Sequence, residues 1–380
     1  MTRSRLSNID FFRFYFAIAI VMIHVITIGF GGGFSQTTEF KIIYSNITKC
    51  YYVPDLFFVI SGFFIIFTEL YKYNISYIFV KRALRFWPTM MGCLLIAFIC
   101  SRFDLCEFYG MQNTYSLLFV SGIRIAKHVT GEYLGLGNLH STWFLSVLMF
   151  STIFYASLLK FYKEKFVFIA IVTCTMSLYQ ASHSVNVFFD YSVLRGLGSV
   201  GLGCLIGLGY TNIKNIFSDN KYEVRYRVTT ALRILLTLIQ IGLFVTLFIS
   251  LFVDHKGRFV MTDVIVIFSL LFCLLLVNQD YFSRLLNNNI SSFLGKYAFS
   301  IYISHCVTLD ILKNTIINPD VYTKFCSFVA KFVSLPSHQF VYFLCFYLLN
   351  VLICVTFGIL IYYVLERPIR IKIPQWIPRG

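Results

Sequence analysis

Ten apolar stretches, each near the length needed to cross a bilayer, recur along this 380-residue chain and restrict it to a membrane fold. They fall at about 9–30, 51–70, 86–101, 141–160, 165–181, 191–210, 234–253, 260–277, 292–312 and 340–365. Backbone in hydrocarbon must satisfy its own hydrogen bonds, so spans of this kind are helices. The expected fold class is all-α, a polytopic transmembrane helix bundle of about ten spans. Only 13% of the residues are charged, against roughly 25% in soluble domains. No soluble domain fits between the spans, so residues 1–380 are expected to form one membrane domain. The first stretch is long enough to be retained as a helix rather than removed as a signal peptide.

The net charge of +15 does not call for nucleic acid. Lys and Arg gather in short connections, as membrane topology requires. Nineteen of them, including Arg3, Arg5, Lys72, Lys160, Arg225, Arg284 and Arg367, fall on one set of connections, and ten, including Lys41, Lys49, Lys313 and Lys324, on the other. Arg13, Arg195 and Lys296 lie within spans. This asymmetry predicts that both termini are cytoplasmic. The longer opposite connections, 102–140 and 313–339, are rich in polar and aromatic residues that could close over a substrate.

Eleven cysteines show no C-x-x-C or Cys/His ligand spacing, so no metal site is expected. The chain also lacks G-x-x-x-x-G-K-[ST], G-x-S-x-G and H-E-x-x-H. ATP-driven transport and serine-elbow hydrolysis therefore have no sequence support.

What remains is a set of polar residues at membrane depth, where such groups are costly and generally functional. Arg13 and His24 both lie in the first stretch. Eleven residues make three helical turns plus about 20°, so the two share one face about 16 Å apart along the axis. A histidine there can serve as a general base, or it can be a packed side chain satisfied by a neighbouring helix. Asp55 opens the second span, where the helix dipole favours an anion. Ser61 is followed by Gly62, a small pair suited to close helix approach, and Ser61 is a nucleophile only if a base stands nearby.

Arg82 and Arg85 are one turn apart at the predicted border of the third span, where they either anchor the helix or clamp phosphate. Pro88 is then placed at a helix start or kink. His140 and Trp143 mark the outer edge of the fourth span, as belt residues or as site lining. His305 lies mid-way along the ninth, near Lys296, Tyr302 and Ser304. Glu366 and Arg367 close the last span, where helix termination and local charge pairing account for them.

Taken in order, Arg13-x10-His24, DLFFVISGF, Arg82-x-x-Arg85-x-x-Pro88, TWFLSVLMF, LGKYAFSIYISH and LERP resemble the membrane acyltransferase-3 family, from Ile9 to Pro368. The resemblance implies a ten-helix enzyme of the bacterial inner membrane. It would acylate a cell-surface polysaccharide or its lipid-linked precursor. The donor would be cytoplasmic acyl-CoA, usually acetyl-CoA, as co-substrate rather than bound cofactor. Its partners would be acyl-CoA, a carbohydrate acceptor and membrane lipid.

By the same resemblance, His24 matches the essential histidine, Arg13 its basic companion, and Arg82 with Arg85 the donor-handling pair. Asp55, Ser61, Trp143 and His305 are then candidates for pocket lining. Many members carry a glutamate soon after the tryptophan of the fourth-span motif. Here Trp143 is followed by Phe144, Leu145, Ser146, Val147 and Leu148. A glutamate-assisted mechanism is thus not expected, and with no hydrolase-like domain appended, transfer would finish in the bundle or on a partner.

The pantetheine arm of the donor, about 15–20 Å when extended, is similar in length to the Arg13–His24 separation. It would thread from Arg82 and Arg85 toward His24. Direct transfer with His24 as base and an acyl-histidine relay both stay open. The other class of reading is a transporter or flippase of a glycan precursor, with the buried Arg and His residues lining a passage.

Overall fold

The computed structural model describes residues 6–100, 110–120, 139, 141–183, 191–219, 229–253, 261–330 and 339–369. His140, much of the connection 102–140 and several of the loop cations counted for orientation lie outside the described residues. Among the described residues there are helices and turns and no strand.

Helix α1 (Ser7–His24) continues through a π-helical turn, Val25–Gly29. After a short loop come α2 (Thr38–Ile47), a 3₁₀ turn (Thr48–Tyr52) and α3 (Val53–Phe67). Then follow α4 (Ile75–Cys100), α5 (Gly110–Leu117), α6 (Thr142–Phe161), α7 (Lys163–His183) and α8 (Tyr191–Asp219). The second half contains α9 (Thr230–Phe252), α10 (Met261–Val277), α11 (Tyr281–Leu286), α12 (Asn289–Leu294), α13 (Ala298–Thr315), α14 (Pro319–Ala330) and α15 (Gln339–Ile361). A second π-helical turn, Tyr362–Glu366, extends α15.

Among the described residues, seven helices are long and apolar enough to cross a membrane. The other three predicted spans are also helices, α7, α10 and α13, of 21, 17 and 18 residues.

Three boundaries differ from the hydropathy reading. The second span begins at Thr38 rather than near residue 51, because Thr37 caps α2 by accepting a hydrogen bond from the Phe40 amide at 3.2 Å. The third begins at Ile75 rather than 86, since Lys81, Arg82 and Arg85 are good helix formers that hydropathy discounts. Arg82 and Arg85 therefore sit inside α4 instead of at its border, and Pro88 lies in the helix interior rather than at its start. The ninth span is broken: α12 ends at Leu294, and Gly295, Lys296 and Tyr297 form a turn before α13. That turn seats against α1, where a carbon added at Gly295 would lie 2.5 Å from Asp10 Cβ.

Helix α1 lies at the centre, packed on α3, α12, α13 and α15. Lipid offers no hydrophobic drive for helices to associate, so shape and close backbone approach hold the bundle. The α3–α8 contact shows this best. A Cβ at Gly62 would lie 2.0 Å from the Val200 carbonyl oxygen, and one at Gly203 would lie 2.0 Å from that of Val59. The two glycines thus let the two backbones touch reciprocally. Aromatic rings fill the neighbouring layer, from Phe16 to Phe268 (5.2 Å), Phe268 to Phe272 (5.6 Å) and Phe272 to Phe63 (5.3 Å).

Gly203→Ala is expected to lower stability by about 1–3 kcal/mol, because backbone rather than a flexible side chain must move. Gly209, on the same helix, has nothing within 4 Å of an added Cβ. Gly209→Ala should therefore leave the thermal midpoint of detergent-solubilised protein unchanged or slightly raised. Equal midpoints for the two variants would contradict the close-packing account.

Candidate active site

Arg13 and His24 share one face of α1, as their spacing predicts, with buried Ala17 and Ile20 between them. The structure places them in different surroundings. Arg13 lies 3.7 Å from Asp10 Oδ1, and its guanidinium sits over the Phe64 ring at 5.8 Å. Arg82 of α4 is close enough for its charge and that of Arg13 to act on each other. Arg85 follows one turn later, half-buried like Arg82. Two guanidinium groups, from α1 and α4, thus act on each other through their charge, an arrangement that suits an anion between them.

Glu366, which the sequence places with Arg367 at the end of the last span, is packed into the bundle. It lies in the second π turn, is buried, and accepts a 2.6 Å hydrogen bond from Ser300 Oγ of α13. Hydropathy placed it at the border because the apolar run ends there, but the helix continues through Ile369.

At the far end of α1, His24 meets His305. His24 Nδ1 and His305 Nε2 are 2.7 Å apart. The ring planes differ by 18° with centroids 4.9 Å apart, so the rings meet edge to edge in nearly one plane, the arrangement of a well-directed hydrogen bond. His24 is half-buried, whereas His305 is fully enclosed. Around His305, Cys306 Sγ lies 3.5 Å from Nε2 and 3.4 Å from Ser141 Oγ, and the Tyr302 hydroxyl donates to the Ser141 carbonyl at 2.9 Å. These contacts tie the histidine of α13 to the start of α6.

The backbone beside His24 is also specialised. A change from α to π register takes carbonyls away from their i+4 partners. Two hydroxyls serve carbonyls at this point: Tyr347 donates to Met22 at 2.9 Å, and Thr27 to Ile23 at 2.7 Å. π turns concentrate at functional sites, and this one follows His24 directly.

Asp55 forms a buried ion pair with Arg195 of α8. The Arg195 Nε donates to the two carboxylate oxygens at 3.1 and 3.2 Å, and Nη2 donates to Oδ2 and to the Tyr51 carbonyl. Ser199 Oγ adds a 3.3 Å bond to Oδ1. Asp55 is 0% exposed and the Arg195 side chain 11%. The guanidinium also lies over the Trp143 ring at 5.7 Å. Tyr51, whose carbonyl Arg195 holds, sets its half-exposed ring 6.4 Å from that of His24. The ion pair therefore connects α3, α6, α8 and the turn beside His24.

Sequence reasoning named His24 and His305 separately, and the structure joins them. It gathers Arg13 with Arg82, and it draws Asp55 and Trp143 together on Arg195. Ser61 is half-buried on the α3 face that carries Phe57 and Phe64 and is bonded to no base among the described residues, which leaves it no nucleophile's partner. Residues that sequence reasoning left without a role are Arg195, Tyr51, Tyr302 and Cys306. Arg195 was within reach of the same argument that singled out His24: a cation at membrane depth needs an anion, and Asp55 is the fully enclosed carboxylate that meets it.

The family described as an acyltransferase domain matches the chain over residues 6–360. No curated protein and no solved structure matches it.

Proposed function

The chain belongs to the acyltransferase-3 family and is a membrane acyltransferase, and from that premise we propose that it transfers an acetyl group from acetyl-CoA to a sugar hydroxyl. The acceptor is a cell-surface polysaccharide or its lipid-linked precursor, and the enzyme sits in a bacterial inner membrane with ten spans and both termini cytoplasmic. The observation that carries this reading is the 2.7 Å contact between His24 and His305 in a bundle whose opposite end gathers Arg13 and Arg82. One end offers cations for the phosphates of coenzyme A, and the other offers a base for a hydroxyl. The α1 face between them spans about the length of a pantetheine arm.

In this reading Arg82 and Arg85 hold donor phosphate at the cytoplasmic mouth. His24 takes the proton of the sugar hydroxyl as its oxygen bonds to the thioester carbonyl carbon. The C–S bond then breaks, and the coenzyme A thiolate leaves and recovers the proton from His24. Three features support the external end as the acceptor side: the half-exposed Tyr51 ring beside His24, the Trp143 ring under Arg195, and the polar 141–142 turn.

Purified protein in detergent, given labelled acetyl-CoA and candidate glycans, should transfer label to the glycan. Binding of both without transfer would instead favour a transporter. Arg82→Gln and Arg85→Gln are each expected to raise the KM for acetyl-CoA by about 10-fold or more, the worth of one charge-assisted contact of about 1.5–3 kcal/mol, with kcat less affected. An unchanged KM in both would assign the pair to anchoring.

A further inference from the structure

We propose that His305 is a positioning residue that holds the ring proton of His24 on Nδ1, so that the reaction runs through His24 Nε2. The inference rests on the acyl-transfer reading above and goes beyond it, because it names the reacting nitrogen and the group that selects it.

A neutral imidazole carries one ring proton, and the partner of one nitrogen decides the role of the other. His24 Nδ1 is committed to His305 Nε2 at 2.7 Å in nearly coplanar geometry. For His24 to accept a proton from a hydroxyl, its own proton must be on Nδ1. That makes Nδ1 the donor and His305 Nε2 the acceptor. The arrangement repeats the base–orienter logic of nucleophile triads, with a neutral ring where those sites have a carboxylate. Asp55, the carboxylate at this end of α3, is committed to Arg195 and Ser199.

The surroundings of His305 suit an orienting role. It is fully buried on α13, its neighbour Cys306 bonds Ser141, and the Tyr302 ring lies 5.9 Å away. A ring fully enclosed by its neighbours holds its partner with little freedom to lose. His24, by contrast, is half-buried, as a residue that meets substrate must be. When His24 takes up a proton, its Nδ1–H bond to His305 strengthens because the donor becomes charged, so the contact favours the state formed during transfer.

The test compares His305→Gln, His305→Phe and wild type. Glutamine supplies a side-chain oxygen that accepts; phenylalanine fills space and accepts nothing. His305→Phe is expected to lower kcat by about 10–100-fold with the acetyl-CoA KM within about 2-fold, and His305→Gln to recover most of the loss. Equal loss in both variants, or wild-type kcat in the phenylalanine variant, overturns the proposal. A second readout needs no turnover. Nitrogen-15 spectra of histidine-labelled protein, with His24→Gln used for assignment, should show His24 protonated on Nδ1 in the wild type and a mixture of tautomers in His305→Phe. An Nε2-protonated His24 in the wild type overturns the inference even if transfer is observed. Failure of the wild type to transfer label, with Nδ1-protonated His24, overturns the acyl-transfer reading and leaves the hydrogen-bond assignment standing.

Discussion

His24→Ala is expected to lower the rate of acetyl transfer by about 10²–10⁴-fold, the usual contribution of a positioned general base. That corresponds to about 3–5 kcal/mol of transition-state stabilisation. The fold should survive. The His24 side chain is half-buried, and the carbonyls around it keep their partners, Tyr347 on Met22 and Thr27 on Ile23. Membrane abundance and the detergent elution profile should therefore match wild type while glycan acetylation is lost. Because the loss is in the chemical step, kcat and kcat/KM should fall together, with donor affinity retained through Arg82 and Arg85. Wild-type acetylation by this variant would remove His24 from the mechanism.

The second large effect is expected at the Asp55–Arg195 pair. Asp55→Leu leaves the guanidinium of Arg195 buried without its carboxylate, and breaking such a pair costs about 3–5 kcal/mol. Asp55 is fully buried and Arg195 nearly so, which limits solvent screening. The double variant Asp55→Leu with Arg195→Met should recover most of that loss, since the pair bears its own desolvation cost. Thermal midpoints of the four proteins form the cycle, and additive losses would show that the two residues act separately. Activity supplies a further check. Arg195 also holds the Tyr51 carbonyl, and the Tyr51 ring borders His24. The stable double variant should still lose part of kcat through displacement of that turn.

Hydropathy alone makes legible the seven helices that, among the described residues, are long and apolar enough to cross a membrane, because apolar length is a direct physical requirement of spanning lipid. It misplaces edges wherever the helix continues into polar residues, as in the segment 75–85 that carries Arg82 and Arg85. It also runs across the break at Gly295–Tyr297, since a turn packed against Asp10 needs no change of polarity. In the site, Arg13 and His24 could be set on one face from spacing, which is a local property of a helix.

The His24–His305 bond joins residues 281 apart and the Asp55–Arg195 pair residues 140 apart. No local pattern encodes such pairings. For the second, charge balance was the available clue, because a buried anion in lipid demands a cation. For the first there was only the oddity of two histidines at depth. The burial of Glu366 was hidden for a related reason: a carboxylate next to Arg367 and Pro368 suggests a helix end, and the π turn that carries it leaves no mark in composition.

The π turn at Val25–Gly29 holds one residue more than an α-helical path would need. Loss of a single residue there would restore α register. Everything beyond, including Gly31, Gly32 and Gly33, would then hold its place, because the turn already absorbs the extra residue, and the change would be confined to the backbone beside His24. A one-residue deletion there thus alters the hydrogen bonding of the backbone beside the histidine without re-aiming the segments on either side. Length variation at this turn is a route by which the surroundings of the reacting nitrogen can diverge while the nitrogen keeps its position.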